Sequence, residues 1–309
     1  MKRALLVFLT VCLLTGCTKS PAKKQQTIFA MDTVMTLTVY GANCEQAVTS
    51  LQAMIVDLDS TWSVTRSDSL IWQLNAPAQL DLTQEEAALL ERVLTLKERT
   101  GGLYDPQLYA LCNTWGFYGQ AYRVPTQEDI QAALSQKQWD LGGAMKGYCG
   151  EKAVALLDTL DVDYAILDLG GNIQTYQQKP DGTPWKIGIQ NPDGGEPLGV
   201  LSVTGTMAVV TSGDYQRCFT ADGKQYHHII DPRTGYPAES GLRSVTVICK
   251  SGLTADCLST ALFVMGLEYG IRFWQDSADF DAVFVTTDGS LYATEGIALS
   301  GCEYEVIHR

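Results

Sequence analysis

DLGGAMKGYCGEKAVALLDTLDVDYAILDLGGN, residues 140–172, is the stretch where the chain changes character. It opens on a glycine turn and continues from Lys146 to Leu160 with helical periodicity. It then becomes a strand-like run at 163–169 that ends in the double glycine Gly170-Gly171. Upstream, helices dominate. Residues 44–58 place Ala47, Leu51, Met54, Ile55 and Leu58 on one face. Residues 83–99 and 126–136 each begin with a capping-box pattern, Thr83 with Glu86 and Thr126 with Asp129. Before them, 28–40 alternates as one strand and stops at Gly41. Downstream, strands dominate, at 184–190, 199–204, 206–211, 243–249, 281–286 and 291–296, with one apolar helix at 254–275. Helices gathered in the first half and strands in the second imply an α+β fold with an antiparallel or mixed sheet, not an alternating doubly wound one.

The 309 residues suit one large domain or two small ones, and their 46% hydrophobic content is that of a globular chain. The formal charge is −13. Such acidity excludes general binding to nucleic acid, so an anionic ligand must be held by local cations, backbone amides or a metal. At the N-terminus, Lys2 and Arg3 precede an apolar run, Ala4 to Leu14, too short to span a bilayer comfortably. The run ends in Leu14-Thr15-Gly16-Cys17, a bacterial lipobox pattern. The expectation is a signal peptide at 1–16, a lipidated Cys17 beginning a polar tether at 17–27, and an exported protein lipid-anchored to the bacterial cell membrane. Loss of the leader lowers the charge by a further two, to −15. Cys44, Cys112, Cys149, Cys218, Cys249, Cys257 and Cys302 remain. Seven is odd, no CxxC or zinc-type cluster occurs, and most read as small buried hydrophobes.

Three segments carry chemistry on physical grounds. Asp140 to Tyr148 runs glycines into a helix start, where backbone amides and the Lys146 head favour phosphate, although a plain glycine turn with a surface lysine is as good a reading of that segment alone. Asp256 and Thr260 lie four apart on one helical face and offer hard oxygens to a magnesium ion. A dipole-favoured acid and a Thr bonded back to its helix is the competing reading. His228 lies in Tyr226 to Pro237, before a turn set by Pro232 and Gly235. It is either a general base titrating near neutrality or a structural histidine.

In order, the chain carries Met31-Asp32-Thr33, Trp62 with Ser69, Tyr104-Asp105-Pro106, Trp115-Gly116, and Asp140 to Tyr148. It continues with Leu169 to Asn172, Thr211-Ser212-Gly213, His228 to Pro237, and Thr254 to Thr260. These motifs, from about Phe29 to Thr287, resemble the ApbE family of flavin transferases. Asp32 departs from a usual glycine, Met145 from a small residue, and Trp62 from a tyrosine or smaller polar residue. The resemblance implies an ApbE-like FAD-binding catalytic domain over 28–309. Its activity would be magnesium-dependent transfer of FMN from FAD to a Thr or Ser hydroxyl of an acceptor flavoprotein, releasing AMP. It implies magnesium on Gly143, Asp256 and Thr260, FAD on Met31, Trp62, Ser63, Val64, Asp105, Lys146 and His228, and catalytic roles for His228 and Asp256. Two alternatives stay open: a magnesium-dependent FAD pyrophosphatase yielding FMN and AMP, and a non-catalytic FAD-binding lipoprotein.

Overall fold

A computed structural model describes residues 21–77, 80–119 and 121–309, so the leader and Cys17 lie outside the described residues. The expected strand over 28–40 is a hairpin, β1 (Lys23–Ala30) and β2 (Thr33–Tyr40). It reverses at Met31 and Asp32, whose φ values of 49° and 57° suit a two-residue type I′ turn. Alternation persists on both sides of so tight a turn, which is why periodicity alone misses it. Lys23–Thr27, expected in the tether, is strand, because pairing with β2 gives these polar residues their backbone partners.

Helices then fill most of the first half: α1 (Cys44–Trp62), α2 (Leu70–Leu74), α3 (Gln84–Arg99), α4 (Tyr109–Thr114), α5 (Gln127–Leu134) and α6 (Met145–Leu157). Both expected capping boxes form, at Thr83 and at Thr126. Helix α1 runs further than its pattern suggested because Trp62 continues the buried row of Leu51, Ile55 and Leu58.

The second half begins with β3 (Tyr164–Asp168), β4 (Ile173–Tyr176), β5 (Trp185–Ile189), β6 (Gly199–Val203), β7 (Ala208–Gly213), β8 (Cys218–Ala221) and β9 (Lys224–His227). It ends with β10 (Leu242–Cys249), α7 (Gly252–Gln275), β11 (Phe280–Thr286), β12 (Leu291–Thr294), β13 (Ala298–Ser300) and β14 (Glu305–Ile307). The strands unforeseen in the sequence, β4, β8, β9, β13 and β14, are three or four residues long, too short for a periodic signal. The main sheet runs β1-β2-β3-β4-β7-β10-β11-β12-β14, antiparallel throughout except for the parallel pair β12 and β14. The N-terminal hairpin therefore forms one edge of a sheet otherwise drawn from the second half.

Helix α7 and the small sheet β13-β6-β5 cover opposite faces of the main sheet. In β10, Val245 and Val247 face the helical core while Ile248 faces the small sheet, and in β11 Ala282 and Phe284 alternate with Val283 and Val285 in the same way. Burial on both faces explains why these strands read as continuous apolar runs. Helix α7 is not one straight rod. Gly266 sits at φ 77°, and a side chain there would press on the Ser240 carbonyl, so the helix breaks where only glycine is accommodated.

Helices α6 and α7 meet through two glycines. A Cβ on Gly147 would fall 2.0 Å from the Gly252 carbonyl oxygen, and one on Gly252 would fall 2.3 Å from the Gly147 oxygen. Both obstacles are backbone and cannot rotate away. Gly147→Ala and Gly252→Ala are expected to destabilise the fold by about 1–3 kcal/mol or more, read as a lower midpoint of urea unfolding at unchanged m-value. Unchanged midpoints would show that this crossing can relax.

Candidate functional site

The β1–β2 turn, the end of α1, the α3–α4 connection, the glycine turn before α6 and the β7–β8 connection converge on one cavity of about 430 Å³. Met31, Trp62, Ser63, Val64, Asp105, Gly143, Lys146, His228 and Thr260 all line it. Nine residues spread over some 230 positions of sequence thus share one wall system. The tenth, Asp256, stands immediately behind the wall, and its Oδ2 accepts a hydrogen bond from the Gly147 amide at 2.8 Å.

Each wall has a local cause. Gly170, at φ 75°, lets Thr33 pack where a Cβ would lie 2.3 Å from the threonine side chain, and this seats the hairpin turn over the cavity. Trp62 lies past the 44–58 stretch whose periodicity marks the first helix. It belongs to the last turn of that helix, 6% exposed and packed into the core, so it offers the cavity a fixed wall. Ser69 donates to the Ser63 carbonyl and caps α2 at the Trp72 amide, which holds the Ser63–Val64 segment in place. Asp105 is committed within the protein: its carboxylate pairs with Lys97 at 2.8 Å and with Lys137 at 3.9 Å, and accepts from the Gln107 amide.

The oxygen-rich corner is built by α7 and the turn before α6. Thr260 Oγ1 lies 3.3 Å from Ser212 Oγ, and a Cβ on Gly143 would be 3.5 Å from that same Thr260 oxygen. Burial pushes the Asp256 carboxyl above the ordinary range, and the Lys146 charge opposes that push. Among the described residues no group of three or more His, Cys, Asp or Glu side chains gathers to hold a metal. What gathers is one buried carboxylate, a threonine hydroxyl and a glycine turn. That set fits a hard cation completing its shell on substrate oxygens, and it does not fit zinc.

Two features were not foreseen in the sequence. Asp140 is half-buried; Tyr118 donates to its Oδ2 and the Gly142 amide to its Oδ1, so this aspartate shapes the glycine turn, with desolvation raising its pKa against the Tyr118 bond. Arg217, in the β7–β8 connection, also lines the cavity. Asp140 was noted only as the first residue of the glycine segment, with no role of its own, and Arg217 belongs to no periodic pattern or recognised spacing.

His228 departs from the expectation of a group titrating near neutrality. Burial first, then the positive charges of Arg217, His227 and Lys146, lower its pKa to about 3. Its Nδ1 is buried with no hydrogen-bond partner. Lys146 is likewise pushed down by burial, with Asp256 pulling it back. The cavity therefore presents a neutral imidazole beside Lys146 and Arg217, with Asp32, Asp59, Asp105 and Asp140 on the same walls, so an anionic ligand has to be held at the cations themselves rather than drawn by the overall charge of the lining.

A family profile described as the ApbE family matches residues 31–284. A protein of Treponema pallidum named FAD:protein FMN transferase is 32% identical, over 96% of this chain and 87% of its own length. The crystal structure of the ApbE protein from Thermotoga maritima superposes with a TM-score of 0.83 at 28% identity, covering 89% of this chain and 98% of that one. A flavinyl transferase ApbE from Pseudomonas stutzeri superposes at 0.77 with 30% identity, covering 93% and 96%.

The depressed His228 pKa has a consequence for stability. The unfolded chain takes up the His228 proton near pH 6.5 and the folded chain only near pH 3, so between these values the unfolded state binds more protons and stability falls as pH falls. Urea unfolding at pH 7 and pH 5 should show a smaller acid loss for His228→Gln than for the wild type, by on the order of 1–2 kcal/mol. Equal losses would place the imidazole in contact with water.

Proposed function

The chain belongs to the ApbE family, and we infer that it is a FAD:protein FMN transferase, with a protein hydroxyl as the acceptor. The observation that carries this reading is the single cavity in which an anion-seeking face, Lys146 and the glycine turn, adjoins the aromatic and apolar wall of Met31 and Trp62 and the oxygen corner of Thr260. A dinucleotide with one flavin half and one nucleotide half needs those three surfaces together.

In the proposed reaction a Thr or Ser oxygen of the acceptor bonds to the phosphorus of the FMN half. The phosphoanhydride bond to the AMP oxygen breaks, AMP leaves with the electron pair, and the hydroxyl proton passes to the protein. His228 is the proposed acceptor of that proton. It is neutral, as a base must be, and an anionic substrate beside Lys146 and Arg217 offsets the charges that hold its pKa down. Lys146 and the amides of the glycine turn orient the phosphates. Met31, Trp62, Ser63 and Val64 pack the ring system, and Asp105, fixed by Lys97 and Lys137, presents its remaining acceptor capacity to the sugar. Asp256, Thr260 and the Gly143 carbonyl are the proposed holders of magnesium, which would supply charge neutralisation at the diphosphate. Asp256 is the only charged group among them, so the ion's affinity is expected to depend on the substrate.

Hydrolysis differs only in the nucleophile, and an open cavity admits water as readily as a hydroxyl, so FAD pyrophosphatase activity is the second reading. The location is proposed from the leader and the lipobox. Cys17 of the lipobox is the proposed anchor of an exported enzyme; among the described residues no helix is long and apolar enough to cross a membrane.

Incubation with FAD, magnesium and an acceptor carrying a Thr or Ser site is expected to add FMN to the acceptor, read by intact mass, with AMP released. Release of FMN and AMP without acceptor modification would favour hydrolysis. Asp256→Asn should slow both reactions on the order of a thousandfold while the fold survives, and chelation of the wild type should do the same reversibly. Full turnover of Asp256→Asn in chelator would remove the metal from the mechanism. Cys17→Ala should leave the protein unanchored or unprocessed, and a variant with unchanged membrane partition and mature mass would overturn the lipobox reading.

A further inference from the structure

Arg217 is the arginine in the described chain whose guanidinium the protein leaves without a hydrogen bond. Every other arginine among the described residues donates at least one from its side chain. The contact that Arg217 does make is an ion pair with Asp32 at 3.6 Å, beyond hydrogen-bonding reach, with the two side chains 42% and 73% exposed. An exposed pair of this length contributes little to stability, so a structural role does not account for it. Its position is more informative. Asp32 sits on the β1–β2 turn and Arg217 on the β7–β8 connection, and both line the cavity, so the pair joins two separate loops across its rim. Both residues hold positive φ, 57° and 32°, which aims their side chains from backbone conformations that few residues adopt.

We propose that Arg217 binds the diphosphate of the substrate and that Asp32 is a built-in competitor, occupying Arg217 until the substrate displaces it. This rests on the transferase reading and adds to it a residue and a selection device. A guanidinium with unused planar N–H donors matches phosphate oxygens in a forked geometry that a carboxylate 3.6 Å away does not satisfy. The exchange replaces one weak contact with charge-assisted hydrogen bonds, so it favours a ligand with several anionic oxygens over a singly charged one. Asp140 does not compete, since Tyr118 and the Gly142 amide already take up its oxygens. Lys146 faces the same space with no carboxylate within ion-pair distance among the described residues, so the two cations bracket the anion from different walls. Asp32 returning to Arg217 would in turn help an anionic product to leave.

The test compares wild type, Arg217→Gln, Arg217→Lys, Asp32→Asn and the Arg217→Gln/Asp32→Asn double variant for binding of FAD, riboflavin and ADP in magnesium buffer. Asn keeps the left-handed turn position at 32 while removing the charge, and thermal melts check that each variant folds. Arg217→Gln should weaken FAD and ADP on the order of tenfold to a hundredfold and leave riboflavin unchanged, with Arg217→Lys in between. Asp32→Asn should tighten FAD and ADP severalfold, and should do nothing once Arg217 is gone. Equal weakening of riboflavin, no effect of Arg217→Gln on FAD or ADP, or an Asp32→Asn gain that persists without Arg217 would each overturn the proposal. If the wild type binds ADP but not FAD, the transferase reading fails, and the ADP measurements still decide the role of the pair.

Discussion

Helix α6 can rest on helix α7 only because Gly147 and Gly252 present bare backbone to each other. That close approach brings the Gly147 amide within 2.8 Å of the Asp256 carboxylate and holds the glycine turn before α6 against Thr260. One more carbon atom at either position would move the turn away from the oxygen corner. The same crossing places Lys146, the residue before Gly147, within Coulombic reach of the buried Asp256 carboxylate, beyond ion-pair distance. Helix α7 is itself fixed by burying its apolar face on β7, β10 and β11, so the site inherits its rigidity from the core between that helix and the main sheet.

Around this crossing several polar groups stand without a close partner. Lys146 loses basicity to burial, His228 is held neutral, and its Nδ1 lacks a partner. Burial without partners normally costs stability, and in this fold the costs fall together on one set of walls. Asp105 and Asp140 show the contrast: both are anchored inside the protein, Asp105 by two lysines and Asp140 by Tyr118 and the Gly142 amide, and both hold their loops in place, Asp105 with acceptor capacity to spare. Groups left wanting face the space a ligand fills, while groups already satisfied hold the loops that shape it.

Helix starts were legible residue by residue, since Thr83 with Glu86 and Thr126 with Asp129 cap their helices through contacts only three residues apart. The strongly periodic strands and the α+β character were legible for the same reason: both depend on spacing along the chain. The ordered motifs carried the family and nominated nine of the residues that line the cavity. Short strands such as β13 and β14, and the two-residue turn at Met31 and Asp32, left no such trace. The depressed pKa of His228 was not legible in sequence, because a histidine's pKa is set by what surrounds it, here burial first and then charged neighbours drawn from separate segments.

What local spacing could establish was therefore the strongly periodic elements, the helix caps and the inventory of chemical groups, with a leader and lipobox as an expectation. What awaited the folded chain was which groups share a wall, which are already spent on neighbours, and which stand unpaired. Arg217 and Asp32 are 185 positions apart and belong to no common motif, yet they meet across the rim of one cavity. Periodicity and capping act over a few residues, whereas desolvation and Coulomb interaction act through space, and only packing decides which distant residues become neighbours.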